Sequence, residues 1–339
     1  MKKIRLAGAA MVATAALALA SCSTQTTNEP GAAAADGGSN DGPLEISLLT
    51  TYNGLPFYTA MQCGAQDAAA ELGGEISLSN DGPSRGMNAA DQLPVLESVV
   101  SSGPDGLIFV PADPQAMLAP VKSAIDAGLP VVTTDATLAE EVALAQFHGD
   151  NLAGGALAAE EMLRLVGDAT GKILVLDNRP GLPITNERAE GFIAGMEGAE
   201  GLEILETQYY EDDPNQAATI VQSSLQANPD IVGIFTTSEA GATGAANGLQ
   251  GLAAEDVAVI AYDAGPVLVR ALRDGTIDAL VAQGSYKQGY DAMTRLVQHL
   301  RGEDVSGEPF DNVVDNVLVT PENMDDPEVA KFLYPESCS

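Results

Sequence analysis

The sequence predicts an α/β protein made of doubly wound parallel sheets and divided into two domains. Three observations carry this expectation. From Leu44 onward, short strand-like runs alternate with longer helical ones, about one pair every 25 to 30 residues. Several of the strand runs are almost continuously apolar, as strands covered on both faces are. Roughly 300 residues follow Leu44, which suits two hydrophobic cores better than one.

In chain order the strand candidates are "LEISLLT" at 44, "GEISLSN" at 74, "GLIFVP" at 106, "PVVTTD" at 130, "KILVLD" at 172, "EILETQYY" at 203, "IVGIFTT" at 231, "VAVIAYD" at 257 and "DALVAQ" at 278. Helical stretches such as "PQAMLAPVKSAIDAG" from Pro114 and "EGFIAGMEGA" from Glu190 lie between them. Strand, helix and parallel strand in repetition imply right-handed crossovers. Ligands of such sheets bind beyond the carboxyl ends of the strands. Those ends carry Tyr52-Asn53 and Pro56-Phe57-Tyr58, then Asp135, Ser238-Glu239, Asp263 and Gln283, so aromatics, carboxylates and an amide share one rim. Aspartates at such places also cap helices and turns.

Ahead of this body stand Lys2, Lys3 and Arg5, an apolar run from Leu6 to Ala20, and Leu19-Ala20-Ser21 before Cys22. This is the pattern of an export signal, too short for the roughly 20 residues of a membrane span. "LASC" resembles the lipobox of bacterial lipoproteins. That resemblance makes 1–21 a signal peptide, Cys22 the lipidated first residue of the mature chain, and 22–43 a tether. Ser23 to Pro43 contain no Leu, Ile, Val, Met or aromatic residue and cannot build a core. As a flexible coil they span roughly 25 Å.

The chain has 15 Lys+Arg against 48 Asp+Glu, a formal charge of −33. Losing the signal removes three basic residues and no acidic ones, which shifts the charge to −36. Nucleic acid is therefore not an expected partner, because phosphate binding needs a basic surface. The acidity is that of a solvated outer surface. His148 and His299 are the only histidines and stand far apart, so neither a histidine-based metal site nor a Ser-His-Asp triad is expected. No catalytic residue, metal or cofactor is assigned.

The chain resembles the type I periplasmic binding proteins, and within them the ribose-binding receptors of ABC importers. The resemblance rests on "PFYTAMQCGAQDAAAELG", "DGLIFVPADPQAMLAPVKSAIDAGLPVVTTD", "HGDNLAGGALAAE", "NERAEGF", "NPDIVGIFTTSEAGATGA", "VIAYDAGP" and "DGTIDALVAQGSYKQGYDAM", in order over Leu44 to about Thr320. It implies two α/β domains joined by three crossings near Asp150, Gly284 and Phe310, with a ligand in the cleft between them. The first domain is then 44–149 plus 285–309 and the second 150–284 plus 310–320. By the same resemblance Phe57 and Tyr58 stack on a sugar, Asp135 and Asp263 accept its hydroxyls, Arg188 donates, Gln283 does both, and Ser238 stands where the ribose receptors have an asparagine.

Two positions depart from that pattern. Ala136 replaces a second arginine, and Glu211-Asp212-Asp213 stand where an aromatic is expected, a place that either Tyr209 or Tyr210 could take after a shift of register. The function implied is a non-enzymatic, monomeric, extracytoplasmic receptor that captures a sugar or polyol and delivers it to an ABC permease, held to the membrane by its lipid. A sensory co-receptor for a sugar-like signal is the alternative, and an extracellular carbohydrate-active enzyme using Asp135 and Asp263 is a third.

Cys63 needs an explanation of its own. In a helix starting near Phe57, an advance of about 100° per residue puts Phe57, Met61, Gly64, Ala68 and Leu72 on one side and Cys63 on the other. A thiol exposed on an exported protein is usually paired. With Cys22 assigned to lipid, the expected bond is Cys63–Cys338, and 321–339 packs back over the first domain. Two free thiols, or a Cys338 that pairs between molecules, are the alternatives.

Overall fold

The computed structural model describes residues 42–84, 88–250, 252 and 256–338; the signal segment, Cys22 and nearly all of the tether lie outside them. The first lobe runs β1 (Leu44–Leu49), α1 (Pro56–Leu72), β2 (Ile76–Asp81), α2 (Ala89–Ser102), β3 (Gly106–Phe109), α3 (Leu118–Asp126), β4 (Val131–Thr134) and β5 (Gln146–Gly149). The second runs α4 (Asn151–Val166), β6 (Gly171–Asp177), α5 (Pro183–Gly195), β7 (Leu202–Ile204), β8 (Gln208–Tyr209), α6 (Pro214–Ala227), β9 (Ile231–Thr236), α7 (Glu239–Leu249), β10 (Ala258–Tyr262), α8 (Pro266–Arg273) and β11 (Ala279–Gln283). The chain then returns through α9 (Ser285–Leu300), β12 (Asp311–Val314), β13 (Asn316–Val319) and α10 (Pro327–Ala330).

The strands form two sheets, in the orders β12-β5-β4-β3-β1-β2 and β13-β11-β10-β9-β6-β7, with β8 also beside β6. All pairs of the first sheet are parallel, and in the second only β13 runs antiparallel, against β11. The expected strand "EILETQYY" is broken into β7 and β8. Helix α5 begins seven residues before the expected Glu190, where Pro183 presets its first turn. Helix α3 begins at Leu118, four residues after Pro114.

Burial explains why the central strands were legible. β3, β4 and β11 are buried at every residue, with helices on both faces. Helices α1 and α9 cover one face of the first sheet so closely that a side chain at Gly64 would run into the Tyr286 carbonyl, and one at Gly289 into that of Met61. The second lobe repeats this closeness between α4 and α5.

The crossings lie close together. Asp150 caps α4 by accepting from the Ala153 amide at 2.8 Å, and its carbonyl accepts from Asn316 Nδ2 at 2.7 Å. Gly284 packs against Val314 and Asp315, where any added Cβ would meet them. The third crossing is not at Phe310. Phe310 still belongs to the first lobe, its carbonyl accepting from the Gln146 amide at 2.7 Å, and β12 continues beside β5 as far as Val314. The chain changes sheets at Asp315, so the first lobe gains 310–314 over the boundary expected from sequence.

The tail also takes a different path. Met324, Val329, Phe332, Leu333 and Tyr334 pack into the core of the second lobe, and Arg273 pairs with Asp325 at 3.4 Å. These residues join the apolar cluster that holds Leu268 and Leu272 of α8 and Leu280 and Ala282 of β11, rather than covering the first lobe. The tail reaches α1 at Tyr334, whose ring meets Phe57, and at Cys338, which is bonded to Cys63. Cys63 is thereby buried, although it lies away from the α1 stripe that packs on the sheet.

Candidate functional site

A cleft of about 860 Å3 opens where the carboxyl ends of β1 and β4 meet those of β9, β10 and β11. Phe57, Tyr58, Asp135, Arg188, Ser238, Asp263 and Gln283 all line it. Asp150 and Gly284, at the crossings, do not.

Asp135 and Asp263 are built alike. Each follows a buried strand, β4 or β10, and each adopts a left-handed backbone, with φ of 65° and 77°. Such a conformation costs a non-glycine residue roughly 1 to 2 kcal/mol, so the surroundings must hold it. The Asp135 amide donates to the Phe147 carbonyl at 2.8 Å and to Gln288 Oε1 at 3.0 Å. Its Oδ2 accepts from the Tyr58 hydroxyl at 3.2 Å. Asp263 Oδ1 accepts from Gln283 Nε2 at 2.7 Å and from the Tyr334 hydroxyl at 3.2 Å. In both residues the other carboxylate oxygen has no hydrogen-bond partner among the described residues. Each lobe thus presents one held carboxylate with an acceptor to spare.

Arg188, 3% exposed, comes from the middle of α5. Its Nε donates to Asn151 Oδ1 and its Nη1 to the Thr237 carbonyl, both at 3.0 Å, and its guanidinium lies 3.9 Å over the Tyr262 ring. Burial works against this charge, but Tyr262, Asp263 and Asp135 outweigh it and raise its pKa above the ordinary arginine value. Nη2 has no partner among the described residues, which leaves one edge of the fork for a ligand.

The two aromatics divide their work. Phe57 meets Tyr58 and Tyr334 edge to face, at centroid distances of 5.2 and 5.5 Å. Tyr58 is only 7% exposed; its ring belongs to the first-lobe core and its hydroxyl touches Thr51 Oγ1 at 2.7 Å as well as Asp135. Burial raises its pKa well above the ordinary tyrosine value, so it remains a donor. Tyr58 therefore aims Asp135 instead of offering an open stacking face. Neither Tyr209 nor Tyr210 lines the cleft: Tyr209 is exposed on the outside, and Tyr210 is fully buried with its hydroxyl 2.6 Å from Ser238 Oγ. The lining residue of that segment is Asp212, held by Asn178 Nδ2 at 3.2 Å.

Sequence reasoning left Glu239, Gln288 and Tyr334 without roles. Glu239 was visible at the end of "FTTSE", on the rim. Gln288 and Tyr334 carried no local signal, because one reaches Asp135 across 153 residues and the other Asp263 across 71.

Burial pushes Asp135 up to about 6, although Arg188 and the Tyr58 hydroxyl pull it down. Burial and then Asp263 raise Glu239 to about 7. Both carboxyls hold a proton more tightly in the fold than their ordinary values of 3.8 and 4.5, so acidification from pH 8 toward 5 favours the empty folded state. A ligand that donates to ionised carboxylates responds the opposite way. Its affinity is expected to be flat near pH 8 and to fall through pH 7 to 5, and calorimetric titration of wild type, Asp135→Asn and Glu239→Gln checks this. A wild-type profile that stays flat would contradict it.

Comparisons with known proteins agree with this layout. A family model described as the periplasmic binding protein domain matches residues 46–304. A solute-binding protein of an ABC transporter from Agrobacterium vitis, solved with α-D-tagatopyranose bound, superposes with a TM-score of 0.78 at 31% identity, over 86% of this chain and 99% of that one. A second from the same organism, with bound D-fucose, gives 0.77 at 30%, over 86% and 100%. The ribose import binding protein of Escherichia coli strain K12 is 27% identical over 260 residues, 77% of this chain and 86% of the relative.

Proposed function

This chain belongs to the periplasmic binding protein family, and from that premise we propose that it is an extracytoplasmic receptor that closes on a sugar or sugar-like polyol and hands it to an ABC importer. It binds and does not catalyse. The observation that carries this reading is the pair of held carboxylates on opposite lobes, each with one oxygen free. A molecule with hydroxyls on two sides can donate to Asp135 and Asp263 together. Only a closed cleft satisfies both, so binding favours closure.

The rest of the lining fits a polyhydroxylated guest. Arg188 offers a donor edge, Gln283 and Ser238 add neutral polar groups, and Phe57 can cover the apolar C–H side of a ring. Asp135, Asp212, Glu239 and Asp263 outnumber Arg179 and Arg188 along the walls, which disfavours a phosphate or carboxylate guest. Similar chains hold tagatopyranose and fucose. Ala136, lining the cleft where the ribose receptors are expected to carry arginine, argues for a sugar other than ribose.

Cys22, carrying lipid, ties a monomeric receptor to the membrane through 22–43; the mass of the mature amino terminus tests the anchor. The ligand is tested by thermal unfolding with an extrinsic dye, since the chain has no Trp, against ketoses, aldoses, deoxy sugars and polyols. A ligand at 100 times its Kd adds about 2.7 kcal/mol to the unfolding free energy. At roughly 2 °C per kcal/mol for a chain of this size, the transition rises by about 5 °C. If none of the panel moves it, the sugar reading fails.

A further inference from the structure

We propose that Tyr334, delivered by the carboxyl-terminal tail, is a positioning residue of the ligand cleft: it aims Asp263 at the guest, so the tail forms part of the binding site. The proposal rests on reading the cleft as a sugar site. Tyr334 does not line the cleft itself. It is 4% exposed, behind Asp263, with its ring edge against Phe57.

The hydrogen bonds fix the direction of action. The Tyr334 hydroxyl accepts from the Gln283 amide at 3.1 Å and donates to Asp263 Oδ1 at 3.2 Å. Gln283 Nε2 donates to the same oxygen at 2.7 Å. Two donors on Oδ1 hold the carboxylate in one rotamer and leave Oδ2 for the ligand. Burial, with Asp263 next to it, raises the Tyr334 pKa well above the ordinary value, so the hydroxyl keeps its proton. The first lobe solves the same problem with Tyr58, whose hydroxyl holds Asp135 Oδ2 from a helix of its own lobe. Among the described residues the second lobe offers Asp263 no such tyrosine of its own, and the tail supplies one.

The tail is secured on both sides of this residue. Before it, Met324, Val329 and Phe332 sit in the second-lobe core; at it, the Tyr334 amide donates to the Ala264 carbonyl at 3.0 Å; four residues later, Cys338 is bonded to Cys63. A tail that served only to cover apolar surface would not need a tyrosine hydroxyl at one of its two most buried residues.

The test is Tyr334→Phe, which keeps the ring and removes the hydroxyl. Amide hydrogen exchange at Gln283 is followed without ligand, and affinities for D-tagatose, D-fucose, D-ribose and D-arabinose are measured by calorimetry. The expected result is at least ~10-fold faster exchange at Gln283, ~10-fold weaker binding of the tightest sugar, and a narrower spread of affinities across the panel. A side chain that only filled space would leave that spread unchanged. Unchanged exchange at Gln283 overturns the proposal whether or not any sugar binds. Faster exchange with wild-type affinities and wild-type spread overturns it too. If wild type binds none of the four, that failure counts against the sugar reading, while faster exchange still shows the tail hydroxyl holding Gln283, the residue that donates to Asp263.

Discussion

Arg188→Met is expected to weaken binding of the best sugar by at least ~100-fold and to lower the unfolding free energy by about 3 kcal/mol. The two effects have separate origins. Binding loses the free edge of the guanidinium, a charge-assisted donor, and also loses the cation that pulls the Asp135 pKa down. Hydrogen bonds to charged groups contribute about 1.5 to 3 kcal/mol each, and 1.4 kcal/mol is a factor of ten. Stability falls because Asn151 Oδ1 and the Thr237 carbonyl lose their donors and the Tyr262 face loses its cation. Calorimetry and chemical denaturation measure the two losses. Asp135 reports the change independently: Arg188 lowers its pKa, so without that charge the carboxyl rises above about 6 and the acid limb of the binding profile moves toward neutral pH. Arg188→Lys should recover part of that limb and little of the affinity, since a point charge cannot replace the fork. Wild-type affinity in Arg188→Met would remove Arg188 from the site.

Breaking the Cys63–Cys338 bond is expected to have the largest effect on stability. The bond joins residues 275 apart in sequence. In the chain-entropy model a loop of that size constrains the unfolded chain by about 5 kcal/mol, an upper bound because unfolded chains are not featureless coils. Denaturation of Cys338→Ser beside oxidised wild type should show the midpoint falling. The loss should begin locally, with faster amide exchange along 321–338 before the sheets respond. Equal midpoints would mean that the non-covalent packing of the tail already suffices.

The central strands were legible because they are simple physically. A strand covered by helices on both sides is mostly apolar, and "GLIF", "VVTT" and "ALVAQ" are buried throughout, with polar residues only at their carboxyl ends, Thr133, Thr134 and Gln283. From those strands the rim followed, since strand ends are where a doubly wound sheet leaves room for ligands. Three short strands were not legible. β5, β12 and β13 are four residues each, only partly buried, and defined by their neighbours rather than by their own composition. Missing β12 is why the last crossing was expected at Phe310 and lies at Asp315.

The site divides the same way. Residues at strand ends could be named from sequence, but what each side chain does depends on partners far along the chain. Tyr58 and Phe57 are neighbours in a helix with equal claims to a stacking role, and only the placement of Asp135 and Thr51 at the Tyr58 hydroxyl separates them. Tyr334 looks like any aromatic in a polar tail until the tail is seen to run behind β10 and β11. The disulfide was foreseeable for the opposite reason. It needs only a count of cysteines, a helical wheel and an exported chain.

The position of that disulfide bears on how the two lobes can move. Phe332 packs beside Gly284, and Gly64, next to Cys63, lies against the carbonyl of Tyr286, two residues past the same crossing. The bond therefore lies next to the three crossings, as a fourth covalent tie along the same edge. A tie close to a rotation axis changes little in length as the cleft swings open or shut, so it leaves closure free. It resists sliding of one lobe over the other, because sliding moves every point on the edge alike. The result is a door with an extra pin in its hinge: one degree of freedom is kept for the guest, and the motions that would misalign Asp135 with Asp263 are held back.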